Sequence, residues 1–219
     1  MIADPMLSEP GNEAQPVAVL FSGGLDSAVL LGMAAAQGPA VPIYVAVGLA
    51  WEAAEIRAAE RLLRAAPFAG RVRPLVRLHA EMRDVYPANH WAIRGEAPGY
   101  DTPDSDVYLD GRNVILLSKA AVYMARAGIE RVFIGPLAGN PFPDATPQFF
   151  AAMSAALSLG LTAPIRIEAP LAHLHKADVV GLGRQLGVPL DLTLSCMQPD
   201  GDGPCGRCSK CRERDAGGA

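Results

Sequence analysis

The chain has 219 residues, half of them apolar and 19% charged, with a formal net charge of -4. That is enough for one sizeable α/β domain with a small appendage, and too little for two full domains. The acidic balance argues against a broad electrostatic grip on nucleic acid or an anionic membrane, and no apolar run approaches the roughly 18 residues that span a bilayer.

Residues 1–16 are rich in Pro, Glu, Asn and Gly and carry no basic stretch followed by an apolar one, so they predict a loose leader on a cytoplasmic protein. Residues 17–21 then predict a strand, and Ser22, Gly23, Gly24, Leu25, Asp26 and Ser27 form a tight turn that runs into a helix over 28–36. A helix N-terminus with free N–H groups, two glycines and two hydroxyls attracts a phosphate. By shape alone the same turn serves equally as an ordinary βα connection.

Further strands are expected at 41–47, 72–78, 131–135 and 165–169. Between them, helices are expected at 51–66, at 113–126 with Val114, Leu117, Ala121 and Met124 on one face, at 146–159 and at 176–186. Gly160 and Gly187 are expected to close the last two. Strands alternating with helices predict a doubly wound, mainly five-stranded parallel sheet over 17–190, with the SGGLDS turn beyond its carboxyl ends.

Residues 81–109 break the rhythm with prolines, glycines and acidic residues, and predict a structureless functional loop or lid, or a tolerated surface insertion. His90 and Trp91 within it could stack on a base or pack on their own domain. Asp144 could serve Mg²⁺ or a substrate amine, or cap the helix that starts at Thr146. Lys176 could meet a phosphate or stay solvated, and His173 and His175 could be ligands or surface residues.

Over 191–219 the cysteines Cys196, Cys205, Cys208 and Cys211 fall close together, with two CxxC spacings sharing Cys208. Four thiolates in a reducing compartment predict a closed structural Zn²⁺ site, with two disulfides or an iron–sulfur cluster as the alternatives.

The hexapeptide SGGLDS resembles the SGGxDS pyrophosphate loop of the ATP α-hydrolase (PP-loop) superfamily. Over 17–214 the chain resembles the 7-cyano-7-deazaguanine synthases. Their PGRN helix start is echoed at Asp110-Gly111-Arg112-Asn113, their GYPDCRPEF loop at residues 141–149, and their TKAEIV segment at residues 174–179. LGVP recurs at 186–189, and the SCxxxxxxxxCGxCxxCxxR motif is matched from Ser195 to Arg214.

The resemblance implies an ATP-dependent ligase of queuosine and deazapurine biosynthesis. Such an enzyme converts 7-carboxy-7-deazaguanine and ammonia to 7-cyano-7-deazaguanine through an acyl adenylate. It implies ATP, Mg²⁺ and Zn²⁺ as cofactors, small-molecule rather than nucleic-acid or membrane partners, and a homodimer. Phe21, Ser22, Gly23, Gly24, Leu25, Asp26, Ser27, Arg112 and Asn113 would then hold ATP, with Asp26, Asp144 and Lys176 acting in catalysis. Cys196, Cys205, Cys208 and Cys211 would hold the metal. The sequence departs from the family where its DYGQRH stretch reads Val47-Gly48-Leu49-Ala50-Trp51-Glu52, and where Ala145 and Thr146 replace Cys and Arg. Those departures leave open another carboxylate, a tRNA base, or a non-catalytic nucleotide-binding role.

Overall fold

The computed structural model describes residues 14–218, so residues 1–13 of the expected leader lie outside the described part. Five strands, β1 (Val17–Leu20), β2 (Ala40–Ala46), β3 (Val76–His79), β4 (Arg131–Phe133) and β5 (Arg166–Glu168), form one sheet in the order β3-β2-β1-β4-β5. Every neighbouring pair is parallel. The α/β class and strand count read from the sequence are the ones observed.

Among the described residues seven α-helices accompany the sheet: α1 (Leu25–Gln37), α2 (Glu52–Arg64), α3 (Trp91–Arg94), α4 (Arg112–Ala127), α5 (Pro147–Leu161), α6 (Lys176–Gln185) and α7 (Ser209–Ala216). The alternation of side chains along each strand sends them to two cores. Ala18, Ile43, Val45 and Val132 meet Leu117, Ala121, Met124 and Phe150 of α4 and α5 on one face. Val17, Val19 and Phe133 meet Leu30, Leu31, Val179 and Val180 of α1 and α6 on the other. Both faces are covered, which is why the strands read as nearly continuous apolar runs.

The chain leaves β1 toward β2 and β3, then returns across the sheet to β4 and β5. The reversal falls between β1 and β4, and ligands of such sheets bind beyond the carboxyl ends of the strands at that point. The SGGLDS turn follows β1 there.

Three local expectations need correction. β3 starts at Val76 rather than at residue 72; Pro74 lies in the expected span and has no N–H to donate to a ladder. α5 runs through Gly160 and ends at Thr162, whose φ of 51° provides the left-handed cap. On α4 Val114 is 37% exposed, and Ala120 takes its place on the buried face.

Residues 81–109 are not structureless. They contain α3 and a 3₁₀ turn at Asp104–Val107, and they bury Met82, Tyr86, Ala92, Val107 and Leu109 in the α4-side core. No helix among the described residues is long and apolar enough to cross a membrane.

Candidate active site

Beyond β1 and β4 lies a cavity of about 300 Å³, within the range of small-ligand sites. Its floor is the SGGLDS turn. Gly23 has φ +79°, and a Cβ there would stand 2.7 Å from the backbone nitrogen of Ala59 in α2. Only glycine meets both conditions, so the turn lies directly against α2. Gly24 is the N-cap of α1, and the Ser27 hydroxyl donates to its carbonyl at 2.9 Å. Ser22 Oγ accepts from Gly24 N–H at 3.2 Å and lies 3.3 Å from Ser27 Oγ.

The turn is also held from the far end of the chain. Leu194 N–H donates to the Gly23 carbonyl at 2.9 Å. Ser195 Oγ accepts from Leu25 N–H at 3.2 Å. The residues just before the first cysteine therefore act as a brace for the glycine turn.

Lys176, at the first position of α6, places its Nζ 2.8 Å from both Asp26 carboxylate oxygens and 2.7 Å from Glu213 Oε1. Burial works against the Lys176 charge, but Asp26 and Glu213 outweigh it and raise its pKa. Burial also raises the Asp26 carboxyl pKa, against the pull of Lys176. Glu213 would likewise be raised by burial, but Lys210 and Lys176 hold it down at about 2.

Across the floor, Asp144 Oδ2 accepts from Asn113 N–H at 3.1 Å, and Asn113 Nδ2 donates to the Asp144 carbonyl at 3.0 Å. Burial raises the Asp144 pKa although the Asn113 backbone bond opposes it. Asp144 is not the cap of the following helix. Thr146 fills that role, its side chain accepting from Phe149 N–H at 3.2 Å. Asp144 instead ties the start of α4 to the β4–α5 connection. Beside it, Arg112 keeps a buried Nε without a partner among the described residues, a donor left for whatever enters the cavity.

Besides Trp91, the wall carries residues whose place in the site the sequence reading did not single out. Glu55 of α2 is 8% exposed and accepts the Tyr44 hydroxyl at 2.8 Å. Burial lifts its carboxyl to about 7, against the lowering effect of Arg112 and the Tyr44 bond. Trp51 and Trp91 stack with ring centres 5.7 Å apart and planes 9° from parallel. Tyr108 and Phe142 stack at 5.2 Å. All of these line the cavity. His90 does not meet the cavity lining; its Nδ1 caps α3 and its ring stacks on Tyr86. The strand over 41–47 was readable, but nothing in the sequence pairs its Tyr44 with Glu55 of the next helix.

Cys196, Cys205, Cys208 and Cys211 bring their sulfurs within 4.8 Å of one another, and none forms a disulfide. Measured separations are 3.9 Å for Cys196–Cys208, 3.9 Å for Cys205–Cys211 and 3.6 Å for Cys208–Cys211. Four thiolates about 2.3 Å from one ion lie about 3.8 Å apart in a tetrahedron, so the donor set suits a single metal ion with no open position. Backbone N–H groups of Gln198 and Cys205 point at the Cys196 sulfur. The hydrogen bond that Cys196 and Cys208 share pushes the Cys196 thiol up and draws the Cys208 thiol down.

Of the residues predicted for the site, Phe21, Ser22, Gly24, Leu25, Asp26, Ser27, Arg112, Asn113, Asp144 and Lys176 all line the one cavity. Gly23 turns toward α2 instead. The Phe21 and Leu25 side chains pack in the α1-side core, leaving their backbone as the part able to serve a ligand. His173 and His175 lie outside the lining, and the capping box of α6 occupies His175.

A doubly wound parallel sheet with this glycine turn at its switch point defines an adenine nucleotide α-hydrolase-like, PP-loop protein. A solved 4-thiouridine synthetase in complex with RNA and bound ATP shares the fold, with a TM-score of 0.50 at 13% identity; the match covers 94% of this chain and 54% of that one. The family model described as queuosine biosynthesis protein QueC matches residues 16–218, and the chain belongs to that family. Its relatives include the 7-cyano-7-deazaguanine synthase of Anaeromyxobacter dehalogenans, 34% identical over 221 residues covering 96% of this chain and 94% of that one. The enzyme of the same name from Frankia casuarinae is 35% identical over 218 residues, covering 94% and 91%.

Proposed function

We propose that the protein is a 7-cyano-7-deazaguanine synthase, an ATP-dependent ligase that converts 7-carboxy-7-deazaguanine and ammonia to the nitrile. The observation that carries this reading is the Asp26–Lys176 pair on the SGGLDS floor of a cavity that also holds Arg112, Asn113 and Asp144. Family membership supports the deazaguanine product.

The substrate carboxylate attacks the α-phosphorus of ATP, and pyrophosphate leaves. Ammonia then displaces AMP from the acyl adenylate to give the amide. The amide oxygen attacks a second ATP, again releasing pyrophosphate. Loss of AMP and the nitrogen protons leaves the nitrile. Two anions must meet, so orientation and charge neutralisation carry the catalysis. Ser22, Gly24 and Ser27 with the α1 amides would hold the pyrophosphate, joined by Lys176. Asp26 and Asp144 would hold Mg²⁺, which supplies further neutralisation of the phosphates. Arg112 and Asn113 would orient the nucleotide and the carboxylate. No nucleophilic side chain is needed.

The cysteine set would hold Zn²⁺ as a closed structural site. Sulfurs this close together suit one ion better than a multi-atom iron–sulfur cluster, which would hold them further apart. A homodimer is the assembly that the family resemblance implies, and sedimentation of the purified chain tests it.

The test of the activity is incubation with ATP, Mg²⁺, ammonia and 7-carboxy-7-deazaguanine, with the product read by mass. Nitrile formation with two pyrophosphates released per product is expected. Saturable ATP binding without turnover would sink the assignment. The stacked Trp51 and Trp91, on residues that depart from the DYGQRH stretch or lie in the 81–109 segment, favour a second reading in which the same chemistry acts on another carboxylate. Pyrophosphate release with a different deazapurine or purine carboxylate, and none with 7-carboxy-7-deazaguanine, would select it.

A further inference from the structure

The helix that follows the cysteines reaches into the cavity. α7 takes Cys208 as its N-cap and Cys211 in its first turn, and Lys210, Glu213 and Arg214 of the same helix line the cavity that holds SGGLDS. Glu213 divides its carboxylate between two cations. Oε1 accepts from Lys176 Nζ at 2.7 Å, and Oε2 accepts from Lys210 Nζ at 2.6 Å. Lys176 in turn holds both oxygens of Asp26. Alternating charges therefore run from the glycine turn to the cysteine cluster in the order Asp26, Lys176, Glu213, Lys210.

A lysine paired three residues ahead of a glutamate on a helix is usually a surface ornament of little energetic weight. This one differs in place and in company. The Lys210 side chain is 29% exposed and that of Lys176 only 14%. The other basic residues of α7 have different duties. Arg214 donates to the Thr193 and Leu190 carbonyls, and Arg212 lies 3.6 Å from Asp104. Lys210 is the α7 cation linked to the Asp26–Lys176 pair, through Glu213. An ammonium has three donors, and Glu213 occupies one of them, so two remain to be turned toward an anion on the floor.

We infer that Lys210 is a phosphate-binding residue, through which the cysteine segment supplies a second ammonium to the pyrophosphate site, and that Glu213 is the positioning residue that aims both lysines. The inference rests on the reading of the cavity as an ATP site. It gives the C-terminal segment a direct part in ligand binding, since the backbone that places Lys210 is the same backbone that carries Cys208 and Cys211.

The test is titration calorimetry of the full, metal-loaded chain with inorganic pyrophosphate and Mg²⁺, for wild type, Lys210→Met and Lys210→Arg. The expected result is pyrophosphate binding about tenfold weaker in Lys210→Met and within about twofold of wild type in Lys210→Arg, the scale of one charge-assisted hydrogen bond. Metal content and thermal midpoint should be unchanged in both. Equal binding by wild type and Lys210→Met overturns the inference while leaving the ATP site intact. Loss of metal together with equal weakening in both variants overturns it in favour of a structural role. Failure of wild type to bind either pyrophosphate or Mg-ATP overturns the reading of the cavity itself, and this inference with it.

Discussion

The floor of the cavity comes from one short stretch, Ser22 to Ser27, braced by Leu194 and Ser195, whereas its aromatic wall is assembled from Tyr44, Trp51, Trp91, Tyr108 and Phe142. The floor is polar and dense in charge pairs. The wall is mainly apolar, with Glu55 as its buried acid. A floor of this kind suits phosphate. A wall of stacked rings suits a flat ring system, and its composition can change without disturbing the floor. If the proposed function holds, nucleotide chemistry and substrate choice would reside in physically separate parts of one cavity.

The largest effect should come from the brace. Cys208→Ser is expected to lower zinc content from about one ion per chain to near zero and to abolish saturable Mg-ATP binding, because a structural zinc site contributes folding energy outright. Metal analysis and calorimetry check it. Retained ATP binding in a zinc-free chain would separate the cysteine segment from the floor.

Next comes the centre of the floor. Lys176→Met leaves the half-buried Asp26 and Glu213 without their shared cation, and a cost of about 2 kcal/mol in denaturant unfolding is expected, together with loss of pyrophosphate release. An unchanged unfolding midpoint would mean that the two carboxylates find other partners.

On the wall, Glu55 gives a pH signal of definite sign. Its folded-state pKa, about 7, lies above the ordinary 4.5. The folded chain therefore keeps a proton that the unfolded chain has released, and stability should fall as pH rises from about 4.5 to about 7, by about 3 kcal/mol in all. Subtracting the profile of Glu55→Gln from that of wild type isolates this slope. A flat difference would show that Glu55 is ionised in the folded chain.

The smallest effect is expected from Trp91→Ala. Loss of the stack on Trp51 should raise the KM for the carboxylate by about fivefold, on the scale of about 1 kcal/mol for an aromatic pair, with the KM for ATP unchanged. Equal changes in both constants would erase the distinction between floor and wall.

Legibility in the sequence follows the same division. The floor and the cysteine set are local in sequence, so SGGLDS between an apolar run and a helix, and CxxC spacings beside Cys196, could be read directly. The sheet was readable because strands buried on both faces are continuous apolar runs. What could not be read was long-range pairing. Glu55 is an ordinary helical glutamate until Tyr44, eleven residues earlier, donates to it. The 81–109 segment reads as structureless because its Pro and Gly content hides apolar anchors at Met82, Tyr86, Val107 and Leu109 that only tertiary packing brings together. Lys210 and Glu213 were hidden between and beside cysteines. Had a helix been expected over 209–216, their spacing would have put them on one face.

The most direct test of the account is pyrophosphate release by wild type and by Asp26→Asn, each with Mg-ATP and ammonia, in the presence and absence of 7-carboxy-7-deazaguanine. Release that requires the carboxylate in wild type and falls by at least about a hundredfold in Asp26→Asn is the predicted result. Release that is indifferent to the carboxylate, or that survives in Asp26→Asn, would contradict it.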